Sequence, residues 1–200
     1  LANIRLYLER LESGERDDAL LTKMDAQVGK LDFLLASMVK ISRLETGAIT
    51  IRKTRAPIAP TLAEALAAIV PQAENKHIRL SAEVDDALLL EHDPKWTAEA
   101  VYNLLDNAVK YTAEGGAVSV RVERGPVFTQ IAVRDNGKGI AWERQGAIFA
   151  RFYREPEVHD SEGAGLGLYL TRGIIERQGG FVEVSSESER GSVFTINLPN

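Results

Sequence analysis

Asn103-Leu104-Leu105-Asp106-Asn107-Ala108-Val109-Lys110-Tyr111 is the stretch on which the reading of this chain turns. A helical step of about 100° per residue sets Asn103, Asn107, Lys110 and Tyr111 on one face and Leu104, Leu105 and Ala108, with Val101 before them, on the other. One stripe is made for a core, while the other offers two carboxamides, an ammonium and a phenol to a cleft. Carboxamide oxygens are hard donors of the kind magnesium accepts alongside water and phosphate. The ammonium is a point charge for a phosphate oxygen. The same letters would also suit a solvated polar face.

Downstream, Asp135-Asn136-Gly137-Lys138-Gly139 ends a strand carrying Ile131 and Val133. A buried carboxylate there would accept the exocyclic amine of adenine and reject the carbonyl that guanine offers at that position. Gly137 and Gly139 would let the backbone approach a ring or take positive φ, and Ile140 follows them. A plain hairpin turn is the competing reading, since Asp-Asn-Gly is common turn chemistry. Further on, Gly163-Ala164-Gly165-Leu166-Gly167-Leu168 opens an apolar-periodic helix with Leu170, Ile174 and Ile175, and such a turn aims free backbone N–H groups at an anion. A dinucleotide fingerprint would need a parallel strand before it, and here a polar stretch precedes it.

In this order the three segments resemble the N, G1 and G2 boxes of the ATP-binding domain shared by sensor histidine kinases, gyrase B subunits, MutL-type repair proteins and heat-shock chaperones. The resemblance runs from about Ile49 to Asn200. The first box is most similar to that of the histidine kinases, which hold asparagine where other members of the superfamily place a glutamate general base, here at Asn103. Ile148-Phe149-Ala150-Arg151-Phe152-Tyr153-Arg154 resembles their F box and Gly191-Ser192-Val193-Phe194-Thr195-Ile196-Asn197-Leu198-Pro199 their closing strand. The resemblance implies that Asn107, helped by Asn103, ligates magnesium. It implies that Lys110 and Arg151 or Arg154 meet the phosphates of ATP, and that Tyr111 and Asp135 border the nucleoside. Phe149 and Phe152 are expected to anchor a lid on the core.

The fold expected is α+β, a two-layer sandwich of the Bergerat type. Its helices lie at about Pro94 to Tyr111 and Leu166 to Gln178, with another following Pro57 and Pro60. Its strands lie at Ile78 to Val84, Ala117 to Glu123, Phe128 to Arg134, Phe181 to Ser185 and Ser192 to Leu198, with Gly125-Pro126 as a hairpin turn. An alternating segment begins at Ile49, Ile51 and Lys53. Ala141 to Ala164, long and weakly periodic, reads as a lid.

Ahead of this domain, Leu1, Ile4, Leu8 and Leu11, then Leu21, Met24, Val28, Leu31, Leu35 and Met38, step by three and four on two helices separated by Ser13-Gly14. The antiparallel hairpin they form would bury its wide seams by pairing with a second copy into a four-helix bundle. The domains expected are thus a hairpin over residues 1–46 and an ATP-binding domain over 47–200 with its lid at 141–164.

In the histidine kinases the hairpin carries a phosphoacceptor histidine in a motif of the form His-Glu-x-Arg-x-Pro-Leu. None of the three histidines here fits that motif, and each reads as an ordinary surface or half-buried side chain. Leu1-Ala2-Asn3-Ile4 resembles the continuation just after the motif, so the acceptor is expected a few residues before Leu1. The family further implies a homodimer, a response regulator receiver domain as partner, and a parent protein anchored in a bacterial inner membrane, of which this chain is a cytoplasmic part. The alternatives are an ATP hydrolase of the chaperone or repair type, a protein-serine kinase of the anti-sigma type, or a regulatory pseudokinase serving as a scaffold.

Composition sets the outer bounds. The 200 residues are 44% hydrophobic and 26% charged, sufficient for a full domain with a real core plus a smaller unit. A net charge of −5 without a basic stripe argues against nucleic-acid binding. Without cysteine there is neither a disulfide framework nor a thiolate metal site. No apolar run approaches the ~20 residues of a membrane span.

Overall fold

The computed structural model describes Tyr7, residues 18–154 and residues 165–200. The chain divides into two compact units, Leu1–Arg43 and Leu44–Asn200. The expected first helix with Leu1, Ile4, Leu8 and Leu11, the Ser13-Gly14 turn, His159 and Gly163 lie outside the described residues. In the first unit, helix α1 (Asp18–Glu45), whose last two residues belong to the second, leaves Leu21, Val28, Leu35 and Met38 exposed and Met24 and Leu31 half-buried. No helix among the described residues is long and apolar enough to cross a membrane.

The second unit runs β1 (Thr54–Pro57), α2 (Ile58–Asn75), β2 (Arg79–Glu83), β3 (Leu89–His92), α3 (Pro94–Tyr111), β4 (Ala117–Arg124), β5 (Phe128–Asp135), α4 (Trp142–Gln145), α5 (Gly167–Arg177), β6 (Phe181–Glu187) and β7 (Gly191–Pro199). Five strands form one sheet in the order β2-β4-β5-β7-β6. Only β2 and β4 are parallel; the other neighbours are antiparallel. Val120, Val133 and Phe194 stand abreast across three strands, and Val122, Ile131 and Ile196 form the next row. Because strand residues alternate in side, these rows share the face that α2, α3 and α5 cover, giving two layers.

Each helix contributes one stripe to that interior. In α2 it is Ile58, Thr61, Leu62, Ala65, Ile69 and Ala73; in α3 it includes Val101, Leu104, Leu105 and Ala108; in α5 it is Leu170, Thr171, Ile174 and Ile175. Complete burial of such aliphatic side chains contributes about 1.5–3 kcal/mol apiece. Gly125 N–H donates to the Phe128 carbonyl at 2.9 Å and closes the expected β4–β5 hairpin.

Two elements depart from expectation. The segment from Ile49 is not a strand until Thr54, where β3 offers a partner: Thr54 lies opposite His92 and Pro57 opposite Leu89 in a separate two-stranded ribbon. Helix α2 starts at Ile58, before Pro60, because its first turn needs no proline N–H. His92 is a further correction, being fully buried and not half-buried. Its Nδ1 meets the Leu90 carbonyl at 3.0 Å and its Nε2 the Thr61 hydroxyl at 2.9 Å. A neutral ring donating to the carbonyl and accepting from the hydroxyl satisfies both contacts.

Candidate nucleotide-binding site

Helix α3 is the spine of the site, and its start is built locally. Asp93 caps it, its carboxylate accepting from the Trp96 N–H at 3.1 Å, and Pro94 fills the first helical position. Asp93 is held in turn: its other carboxylate oxygen accepts from the Arg52 N–H at 2.7 Å, and its own N–H donates to buried Gln178 at 2.8 Å. Gln178 also exchanges bonds with the Thr97 hydroxyl. Farther along, the Thr171 hydroxyl donates to the Ala100 carbonyl at 3.4 Å. Helices α3 and α5 therefore lie antiparallel, and the start of α5 reaches the middle of α3.

At that meeting point a side chain on Gly167 would begin 3.5 Å from Asn103 Oδ1. Asn103 was expected on the open face, yet it is only 8% exposed, and its Nδ2 has no hydrogen-bond partner among the described residues. A buried amide N–H without a partner costs about 1–3 kcal/mol, so a ligand able to accept from it fits here. Asn107, one turn on, is half-exposed.

The end of α3 meets the turn after β5. Asp135 is buried, and its Oδ1 accepts from the Gly137 N–H at 2.8 Å and the Ser192 N–H at 3.3 Å. Oδ2 takes neither of these donors. Burial pushes the Asp135 carboxyl above the usual aspartate range, and the two backbone donors offset part of that rise. Gly137 is required, since a Cβ there would fall on the Tyr111 carbonyl oxygen; Gly139 has φ 68° and would drive a Cβ into the Glu187 carbonyl. The plain-hairpin reading of this turn does not hold, for β5 pairs with β4 and β7 while the turn leads into α4. Beyond it the Ile140 N–H donates to Ser186 Oγ at 2.8 Å, and buried Gln145 donates to the Ile140 and Ser186 carbonyls.

Lys110 and Lys138 each hold an ammonium 5.0 Å from the Tyr111 ring centre, close enough for cation–π attraction. At the start of α5 the capping residue Leu166 makes no side-chain cap bond, and a helix start leaves its first N–H groups without intrahelical partners. Gly165 has φ 66°, and Leu166 packs its side chain in the core, leaving its backbone as the part a ligand could meet. Gly167 and Leu168 form the first turn of α5. The turn after β5 and the start of α5 thus converge on α3.

Residues 92–200 match the family described as histidine kinase-, DNA gyrase B-, and HSP90-like ATPase. This chain belongs to that ATPase family. The sensor protein kinase PmrB of Pseudomonas aeruginosa is 32% identical over 203 residues, which cover 100% of this chain and 42% of that protein. Full-length ShkA, solved in complex with AMPPNP, is 26% identical with a TM-score of 0.78 over 98% of this chain and 42% of that one. The histidine kinase ThkA, solved in complex with the response regulator TrrA, shares the fold with a TM-score of 0.80 at 22% identity, over 98% of this chain and 56% of that one. The chain spans less than half the length of the curated relatives it matches. It carries a histidine kinase-type ATPase domain, as the likeness of its boxes implied.

In this ATPase domain the segment between α4 and α5 divides. Ile148 is buried, and Phe149 meets Phe194 edge-on with ring centres 6.5 Å apart, as an anchor should. Phe152 does the opposite of what was expected: it is 53% exposed, takes φ 62°, and carries the Arg151 guanidinium 5.1 Å above its ring. The positive φ turns it away from the core. Arg151 pairs with Glu45 at 3.1 Å, and the Tyr169 hydroxyl donates to the same carboxylate at 3.0 Å. Arg154 is half-exposed.

Sequence reasoning passed over Lys76. Its ammonium donates to the carbonyls of Val109 at 2.7 Å, Lys110 at 3.0 Å and Thr112 at 2.6 Å. Those partners lie 33 to 36 residues away, and no local pattern marks them.

Proposed function

We propose that this chain is the catalytic part of a sensor histidine kinase that binds Mg-ATP and transfers its γ-phosphoryl group to a histidine imidazole, from which it passes to an aspartate of a response regulator. The carrying observation is Asp135, its Oδ1 held by two backbone N–H groups beside a glycine turn that abuts the end of α3. That arrangement suits an adenine amine at Oδ2. The division proposed is a hairpin over 1–46 for pairing and phosphotransfer and a catalytic domain over 47–200 with its lid at 141–164.

The residues fit the nucleotide and its metal. Asn107, with Asn103 behind it, offers carboxamide oxygens to magnesium, and the Asn103 amide, without a partner among the described residues, offers a donor. Lys110, Arg151 and Arg154 are cations for the phosphates; Tyr111, Gly137, Gly139 and Ile140 border the nucleoside. Gly165, Leu166, Gly167 and Leu168 offer backbone N–H groups to phosphate oxygens, and Gly163, outside the described residues, joins them by the likeness of the boxes alone. When bound, Mg-ATP supplies an electrophilic phosphorus whose oxygens the metal partly neutralises. The protein's own work is positioning and charge stabilisation. An imidazole nitrogen attacks phosphorus, and the bond to the bridging oxygen breaks with its electron pair leaving on ADP. A hydrolase would need a carboxylate base where Asn103 stands, so the kinase reading is preferred.

His92, whose ring nitrogens are both engaged in the core, does not serve as the receiving imidazole, and His77, exposed beside Glu114 at 3.1 Å, does not fit the acceptor motif of the family. The exposed apolar side chains of α1 suit a homodimer through the hairpin, and the likeness to sensor kinases suits a cytoplasmic position in a membrane-anchored parent. Calorimetric titration with Mg-AMP-PNP, paired with incubation in γ-labelled ATP, tests the reading. Binding without acid-labile label on this chain is expected; absence of binding would revive a scaffold role, and stoichiometric label would show that the chain holds its own acceptor.

A further inference from the structure

A helix leaves its last four carbonyls without intrahelical partners. At the end of α3 three carbonyl oxygens, those of Val109, Lys110 and Thr112, go to one ammonium, Lys76 Nζ. The remaining one in that run, Tyr111, accepts from the Lys138 N–H of the turn after β5 at 3.4 Å. A lysine has three donors and no acceptor, and here all three are spent on one helix end. Its charge also lies where the helix dipole is negative, a favourable place for a cation. The backbone around Lys76 is itself fixed: its carbonyl accepts from the Gly115 N–H at 2.9 Å, and its own N–H returns to Ala73 at 3.2 Å.

This helix end carries Lys110 and Tyr111, and it is the surface against which Gly137 packs without room for a Cβ. A displacement of the Tyr111 carbonyl would therefore move the turn that presents Asp135. We propose that Lys76 is a positioning residue of the nucleotide site, setting the end of α3 and through it the turn that holds Asp135. The proposal rests on the nucleotide-binding reading above and adds to it a residue remote from the three boxes.

The test replaces Lys76 by methionine, which keeps the stem and removes the donors, and by glutamine, which keeps two donors on a shorter arm. Dissociation constants for Mg-AMP-PNP and Mg-ADP are measured by calorimetry well below each variant's melting temperature. Amide NMR shifts of Gly137, Lys138 and, as a reference on α5, Ile174 are recorded without ligand. For K76M both nucleotides should weaken together by on the order of tenfold, by analogy with metal centres that lose a group orienting a ligand. Gly137 and Lys138 should shift while Ile174 holds, and K76Q should fall between the parent and K76M. If K76M does not fold, K76Q alone decides, weakened binding by a folded protein supporting the proposal. A lowered melting temperature with unchanged dissociation constants, or turn resonances that stay in place, would overturn it. Should the unaltered chain bind no nucleotide, the kinase reading falls, and the spectra then decide whether Lys76 sets the turn.

Discussion

Replacing Asp135 with asparagine should separate binding from stability. The pocket holds two backbone donors on one side of the carboxylate, Gly137 N–H at 2.8 Å and Ser192 N–H at 3.3 Å. An asparagine amide can point its oxygen at those donors, leaving its NH2 where adenine brings its own NH2. Reversing the amide would set two buried backbone donors against a third, at about 1–3 kcal/mol for each unsatisfied group, so the first orientation wins and the fold survives. Ligand binding then loses a charge-assisted hydrogen bond of about 1.5–3 kcal/mol. At about 1.4 kcal/mol per tenfold, affinity falls roughly 10- to 150-fold. The folded protein loses no internal bond and sheds a desolvated charge, so its melting temperature should stay level or rise. Calorimetry with Mg-AMP-PNP beside a thermal melt reads both. Binding within about threefold of the parent would refute the role of Asp135, where each 1.4 kcal/mol is tenfold. A fall of more than about 4 °C in Tm, near 1 kcal/mol or more for a chain this size, would show that the carboxylate is structural.

The raised Asp135 carboxyl fixes the sign of a pH effect. Because burial lifts its folded-state value above the ordinary one, the folded protein binds this proton more tightly than the unfolded chain. The charged form thus costs stability at neutral pH, a cost that fades as pH falls through the raised value. Nucleotide affinity, which needs the charged form, should fall on acidification before exposed carboxylates titrate, and D135N should flatten that profile in a pH series of titrations. Leu105→Ala, at a fully buried site, should cost about 2–5 kcal/mol in urea unfolding, and a smaller loss would mean that the helix layer collapses around the gap. Glu45→Ala breaks a half-exposed pair with Arg151, so stability should change by less than about 1 kcal/mol. Triphosphate affinity should rise relative to adenosine as Arg151 is released; an unchanged ratio would remove Arg151 from the phosphate site.

Helix α3 was legible to its ends because Asp93-Pro94 is a start signal and its apolar stripe is unbroken. Strands β4 to β7 were legible from their alternation. The β1–β3 ribbon was not, since strands of four residues show no period and exist only through each other. Nor could alternation reveal that β2 runs parallel to β4. At the site, residue identities were readable but depth was not. Asn103 lies inside the boundary that periodicity drew because α5 covers it. Phe152 faces outward through a backbone angle that its letter disfavours. Lys76 was invisible because its partners are close only in space.

The bonds among Asp93, Thr97 and Gln178 have a mechanical consequence. Two antiparallel rods riveted at one end can spread only at the other. Here the riveted end joins the start of α3 to the residue just past α5, and the free end is where Gly167 faces Asn103. The Thr171 bond to the Ala100 carbonyl carries the rivet along α5, so any give between the two rods is left to the first turn of α5, beside Asn103.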